Sequence, residues 1–210
     1  MTEIELRRTV TDLAEHYAKS GAIFEWSAGL EKMIKTYNDH LPLARNYKYV
    51  KDGGWCMLFV SDLFIETGLA DIMQTEVGPY EAMKADKEAG RFRKPLEYIP
   101  LPGDIIYFYY QDKDARGRVI NSWYHVGIVT NADANIIYTT EGNVQDRVLM
   151  LAHKPDDPTI AGFGVPDYAS KIRPTVDGVI IPPVPAETGI YYFTAVNNGK
   201  TIELLWTKKK

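Results

Sequence analysis

The stretch WYHVGIVTNADANIIYTTEGN, residues 123–143, decides the fold. Two runs of alternating apolar and polar residues, WYHVGIVT and IIYTTEGN, flank the five residues NADAN, the pattern of a β-hairpin. If the loop closes symmetrically, Thr130 opposes Ile136 and, counted back along both strands, His125 lies directly across from Glu141. Opposed side chains have Cβ atoms roughly 4.5–5.5 Å apart, within reach of a hydrogen bond between an imidazole and a carboxylate. Asn143 falls on the same face, because side chains alternate with a period of two. A register shift of two residues keeps all three on one face, whereas a shift of one separates them.

Outward from this hairpin, RVLMLA (147–152) and IAGFGVP (160–166) read as further strands, and IIYFYY (105–110) as a strand entered through a turn at Pro102-Gly103. The segment QDKDARGRVINS (111–122) reads as a polar loop. In IIYFYY the aromatic residues Tyr107 to Tyr110 alternate sides, so one pair is expected in the core and the other along a groove.

Upstream, Leu6, Val10, Leu13, Ala14 and Tyr17 have the spacing of an amphipathic helix that ends near Ser20-Gly21. A second helix is predicted over 28–37, followed by the loop DHLPLARNYKY (39–49). A third should begin near Trp55, with Asp52 as its N-cap, and run to Thr67-Gly68; a short fourth spans about 81–89. From Ser170 the composition turns proline-rich (KIRPTVDGVIIPPVPAET), which predicts an extended linker. The tail GIYYFTAVNNGKTIELLWTKKK alternates around Asn198-Gly199, a type I′ hairpin signal. The fold expected is α+β, with N-terminal helices packed on a small antiparallel β-sheet and a short C-terminal β extension. Three segments follow: a domain over 1–168, a linker over 169–187 and a β-hairpin tail over 188–210.

With 210 residues, 45% hydrophobic and 25% charged, the chain is long enough for one well-buried domain plus an appendage. A formal net charge of -4 gives no general attraction to nucleic acid or anionic lipid, so no nucleic-acid partner is expected. No apolar run reaches membrane-spanning length, so no membrane insertion is expected either, and MTEIELRRTVTDLAEHY lacks the apolar core of a signal peptide. The expectation is a chain made in the cytoplasm that needs another agent to release it if it works outside. A single cysteine forbids an internal disulfide, and no paired Cys/His spacing of the zinc type occurs. Asp112 and Asp114 lack the closing glutamate of a calcium loop, so no metal and no cofactor is expected.

That cysteine, Cys56 in GGWCMLFVSDLF (53–64), sits at a predicted helix start. There the positive end of the helix dipole lowers a thiol pKa and favours the thiolate. It also shares a helical face with Val60 and Leu63, as a small apolar core residue would, and the pattern leaves both readings open. His125 is the candidate base and Glu141 the carboxylate that orients it. Asn143 is either a turn residue or an amide that bonds the imidazole or polarises a carbonyl. His16, His40 and His153 have no comparable partner pattern and read as surface or structural; Arg116 and Arg118 read as solvated loop charges.

The ordered motifs WCMLFVSDLF, PLPGDIIYF, YHVGIVTN, EGN and IAGFGVPDY resemble the CHAP family of cysteine amidohydrolases and peptidases, relatives of the NlpC/P60 and papain-like enzymes. The resemblance covers most of residues 1–168, including the YNDHLPLARNYKY lead-in found in lysin-like proteins of Firmicutes and their phages. It implies a papain-like CHAP fold, Cys56 as nucleophile, His125 as general base, and Glu141 and Asn143 as orienting acid and accessory amide. It also implies bacterial peptidoglycan as partner and substrate, with cleavage by an N-acetylmuramoyl-L-alanine amidase or an endopeptidase, as in a phage or prophage endolysin acting on the cell wall after release. The competing readings are a non-catalytic wall-binding or structural module of the same fold, and the same chemistry on another amide. Some phage members of the family carry an aspartate-rich calcium loop before the cysteine; here that stretch is NYKYVKDGGWC, so no such calcium dependence is expected.

Overall fold

The computed structural model describes residues 1–51 and 53–172, and beyond them the backbone of four strands within 175–208. Among the described residues four α-helices precede or border a six-stranded antiparallel sheet, so the protein is α+β. Among the described residues no helix is long and apolar enough to cross a membrane.

Helix α1 (Glu3–Ser20) begins with a capping box: Thr2 Oγ1 accepts from the Glu5 N–H, and Glu5 accepts from the Thr2 N–H at 2.7 Å. It stops at Gly21, whose φ of 61° places it in the left-handed region favoured by glycine, as the sequence predicted. Helix α2 (Ala28–Asp39) is capped by Ser27, and α4 (Pro79–Glu88) starts on a proline, which needs no N–H there. Helix α3 (Cys56–Glu66) is buried from Cys56 through Phe64, as a helix apolar on all sides must be. Trp55 takes its N-cap position and supplies no side-chain cap. The expected cap, Asp52, is therefore not at the cap position and lies outside the described residues.

The sheet comprises β1 (Phe92–Arg93), β2 (Ile105–Lys113), β3 (Val119–Ala132), β4 (Ile137–Val144), β5 (Arg147–His153) and β6 (Ile160–Gly164), in the order β1-β6-β2-β3-β4-β5. Ile105, Tyr107, Val126, Ile128 and Val148 join the helices in the main core. Ile106, Phe108, Val129, Ile137, Ile160 and Phe163 build a second, smaller core. With both groups covered, Tyr107 and Phe108 are both buried and Tyr109 and Tyr110 both half-buried. Burial thus divides IIYFYY along the strand and not, as expected, by alternating side.

The polar loop expected over 111–122 is mostly strand: β2 continues to Lys113 and β3 starts at Val119. The two form a ribbon whose residues 111–113 and 119–123 are all exposed, so no alternation of hydrophobicity marks it in the sequence. Arg118 at its tip pairs with Asp114 at 2.7 Å, and Arg116 is exposed.

The β3–β4 hairpin is offset by two residues from symmetric closure: Ile128 pairs with Thr140 and Val129 with Thr139. The strands run on to Ala132 and Ile137, past an irregularity between Val129 and Asn131, and the turn is closed by Asp133, whose side chain accepts from the Asn135 and Ile136 N–H groups. Between β4 and β5, Gln145 and Asp146 both have positive φ (49° and 60°), which makes a two-residue turn between Val144 and Arg147.

Arg7 of α1 ties the helices to the sheet. Its guanidinium donates to the buried Asp104 at 2.8 Å and to the Pro102 carbonyl at 3.0 Å, and lies 4.4 Å from the Tyr168 ring centre. Tyr168–Lys171 forms a 3-10 turn at the entry to the predicted linker, and within it β7 (Thr175–Val176) pairs with β8 (Val179–Ile180). In the tail β9 (Gly189–Asn197) pairs with β10 (Lys200–Lys208), Asn197 opposite Lys200. The predicted turn residues Asn198-Gly199 lie outside the described residues.

Candidate active site

Helix α3 presents Cys56 as its first residue, and what seats the helix is packing onto β4. A Cβ added to Gly142 would stand 2.6 Å from Phe59 Cβ and 3.0 Å from Trp55 Cζ3, so only glycine lets strand and helix approach this closely. Trp55 is fully buried and its indole N–H donates to Glu25 at 2.7 Å, which fixes the residue just before the thiol. Cys56 is 6% exposed and belongs to the main core together with Val60 and Leu63, as the apolar reading expects. Its thiol is nonetheless one of the groups that favour the charged form of the His125 imidazole.

His125 Nε2 lies 2.8 Å from Glu141 Oε2, so the two side chains meet as expected, although not through the expected pairing. The two-residue offset preserves parity and moves Glu141 over Gly127. A Cβ at Gly127 would be 2.5 Å from Glu141 Cγ, and the missing side chain is the space the glutamate uses to reach diagonally to His125.

The carboxylate of Glu141 is 1% exposed and takes three bonds: His125 at 2.8 Å, His153 Nε2 to Oε1 at 2.7 Å and Thr139 Oγ1 to Oε1 at 2.6 Å. Burial opposes its ionisation, yet the bonds from His125, His153 and Thr139 outweigh burial and hold it down at about 2. For His125, burial disfavours the imidazolium, but bonding and charge from Cys56 and Glu141 win and push it up to about 9. An ionised carboxylate only accepts, so the Nε2 atoms of both histidines carry hydrogen. The neutral His125 then keeps its lone pair on Nδ1.

Asn143 is not among the partners of the imidazole. The β4–β5 register breaks between Glu141 and Val144, and Asn143 has a φ of 61°, so the strict alternation that would place it beside Glu141 ends there. Its amide instead sits against Gly54, with Nδ2 3.3 Å from where a Cβ would stand, two residues before Cys56. Of the readings left open for Asn143, the positive φ at a break in the ladder agrees with a turn residue, and the amide borders the backbone leading into α3.

His153, read from the sequence as surface or structural and without a partner pattern, bonds the Glu141 carboxylate. It ends β5, pairs with Ile137 and packs tilted against Phe108, the ring centres 4.7 Å apart. A two-residue turn at 145–146, with Val144 opposite Arg147, would by itself put residue 153 opposite 138; the register break between Glu141 and Val144 moves it opposite 137, on the face of 139 and 141. The predicted strand stopped one residue short of it. Among the described residues no group of three or more His, Cys, Asp or Glu side chains is arranged to hold a metal ion.

Chemically the arrangement is a thiol at a helix start, a histidine whose charged form that thiol favours, and a buried anion on the histidine's Nε2. Such an array can form a thiolate–imidazolium pair. Compared with family models, with curated proteins and with solved structures, the chain matches none of them.

Proposed function

We propose that the protein is a cysteine-dependent peptidoglycan hydrolase with a papain-like CHAP fold, acting on an amide bond of the bacterial cell wall as a phage or prophage endolysin does. The observation that carries the reading is the placement of His125 between the Cys56 thiol and the buried Glu141 carboxylate, 2.8 Å from Nε2. The ordered motifs and the resemblance they carry supply the substrate class.

In this mechanism His125 Nδ1 takes the thiol proton and the Cys56 thiolate attacks the amide carbonyl, forming a C–S bond. The oxyanion is held by first-turn N–H groups of α3, which Trp55 leaves without a side-chain cap. The C–N bond then breaks as the imidazolium gives its proton to the leaving amine. Water, deprotonated by His125, attacks the thioester; the acid product leaves and the thiol is restored. Glu141 stays ionised throughout and steadies the imidazolium.

The test incubates the full chain and its Cys56→Ala variant with sacculi of several Gram-positive species, following turbidity and identifying fragments by mass spectrometry. Clearance by the parent alone is expected, and the new termini distinguish cleavage at muramoyl-L-alanine from cleavage within the peptide. Binding of both proteins without release of any fragment overturns the catalytic reading in favour of a wall-binding module.

A further inference from the structure

We propose that His153 is a positioning residue of this site: from β5 it donates Nε2–H to Oε1 of Glu141 and thereby keeps Oε2 on the His125 ring. The inference rests on the reading of Cys56 and His125 as nucleophile and base.

A glutamate side chain has three rotatable bonds, and one hydrogen bond to a movable imidazole leaves the carboxylate free to swing. Here its far oxygen is fixed from two directions, by Thr139 on the same strand at 2.6 Å and by His153 on the neighbouring strand at 2.7 Å. The Thr139 contact moves with β4 itself. The His153 contact ties the carboxylate to β5, and the His153 ring in turn packs tilted against Phe108, which also lies 5.9 Å from His125 between ring centres. The side chain of His153 is 13% exposed and that of Glu141 2%, so the bond is screened little by water and counts as a charge-assisted one. The titratable groups around the carboxylate are His125 from β3, His153 from β5 and Tyr110 from β2, with Cys56 beyond the imidazole. Of these, His153 alone bonds the carboxylate without touching the thiol, which is the position of a group that acts through another.

Alkylation of Cys56 by iodoacetamide, followed by intact mass as a function of pH in the full chain, reads thiolate formation without any substrate. For His153→Ala the rate at about pH 5–7 is expected to fall about tenfold, because the imidazolium that stabilises the thiolate loses roughly one pKa unit of support. His153→Gln, whose amide N–H can reach the same oxygen, is expected to restore most of that rate. A folded His153→Ala protein with an unchanged alkylation profile and only a lower melting temperature overturns the proposal. If His153→Ala does not fold, the imidazole ¹⁵N spectrum of the parent decides, since a His153 carrying its proton on Nδ1 alone also overturns it. Failure of the parent to cleave sacculi would remove the proposed function and leave this alkylation comparison intact, so the two can fail separately.

Discussion

The side chain of Glu141 runs through the space that a side chain on Gly127 would fill, with Cγ 2.5 Å from the position of the missing Cβ. Gly127→Ala is therefore expected to displace the carboxylate from His125. Alkylation of Cys56 near neutral pH should slow by about tenfold or more, roughly one pKa unit of lost support, while stability falls by about 1–3 kcal/mol. Gly142→Ala is the contrast. There the added methyl meets the Phe59 Cβ at 2.6 Å, an atom fixed to the helix backbone, so the loss is in stability, about 3 kcal/mol or more. Denaturant unfolding and alkylation measured on both variants separate the two effects.

Stability should pass through a maximum in mildly acidic solution. Glu141 is held at about 2, so its contribution is present above the ordinary carboxylate range and is lost as pH falls toward 2. His125 is raised to about 9, so its contribution is complete below its ordinary value of 6.5 and is lost as pH rises toward 9. The window in which both contribute lies between about pH 4.5 and 6.5. Because the shifts are largely one interaction seen from two partners, the maximum should stand no more than about 3 kcal/mol above the flanks. Thermal melts across pH, repeated on Glu141→Gln, check this; the variant should lose most of the curvature.

Asp62 acts in the opposite sense. It is buried in α3, its Oδ1 has no hydrogen-bond partner, and burial together with the Glu66 charge, partly offset by Lys32, pushes it up to about 8. An acid that binds its proton more tightly when folded costs stability as pH rises from its ordinary range to about 8, and the cost then stays constant. Asp62→Asn should be more stable than the parent by about 1–3 kcal/mol at pH 8, with the gain vanishing near pH 4. Chemical denaturation at those two pH values is the measurement.

Arg7→Leu should cost about 3–5 kcal/mol, because it strands the fully buried Asp104 carboxylate. Burial already raises Asp104, so the loss should be larger at pH 8 than at pH 5. The double variant Arg7→Leu/Asp104→Asn should recover part of it. Equal stability of the single and double variants would refute the ion pair as the cause.

Helices α1 to α3 and the β3–β4 hairpin were legible because caps, glycine stops and periodic burial are local signals. The exposed β2–β3 ribbon was not, since strands wetted on both sides carry no alternation. The His125–Glu141 pair was legible through parity alone: the register assumed was off by two residues, and two residues is the one small error that spares a shared face. His153 and the true place of Asn143 depended on a two-residue turn and on a break in the ladder, and Gln145-Asp146 is not a strong turn signal by composition. Nothing local tells that Trp55, not Asp52, stands at the cap of α3; packing of the tryptophan against Gly142 and its bond to Glu25 decide it.

The site draws on α3, β3, β4 and β5, in that order along the chain. During synthesis Cys56 therefore emerges first and waits for His125, Glu141 and His153, an interval on the order of ten seconds at ordinary elongation rates. Through that interval it is an unassisted thiol, without base or anion. On the proposed function, reactivity would arrive with the last strand of the hairpin series, and a nascent or truncated chain would carry no activated nucleophile.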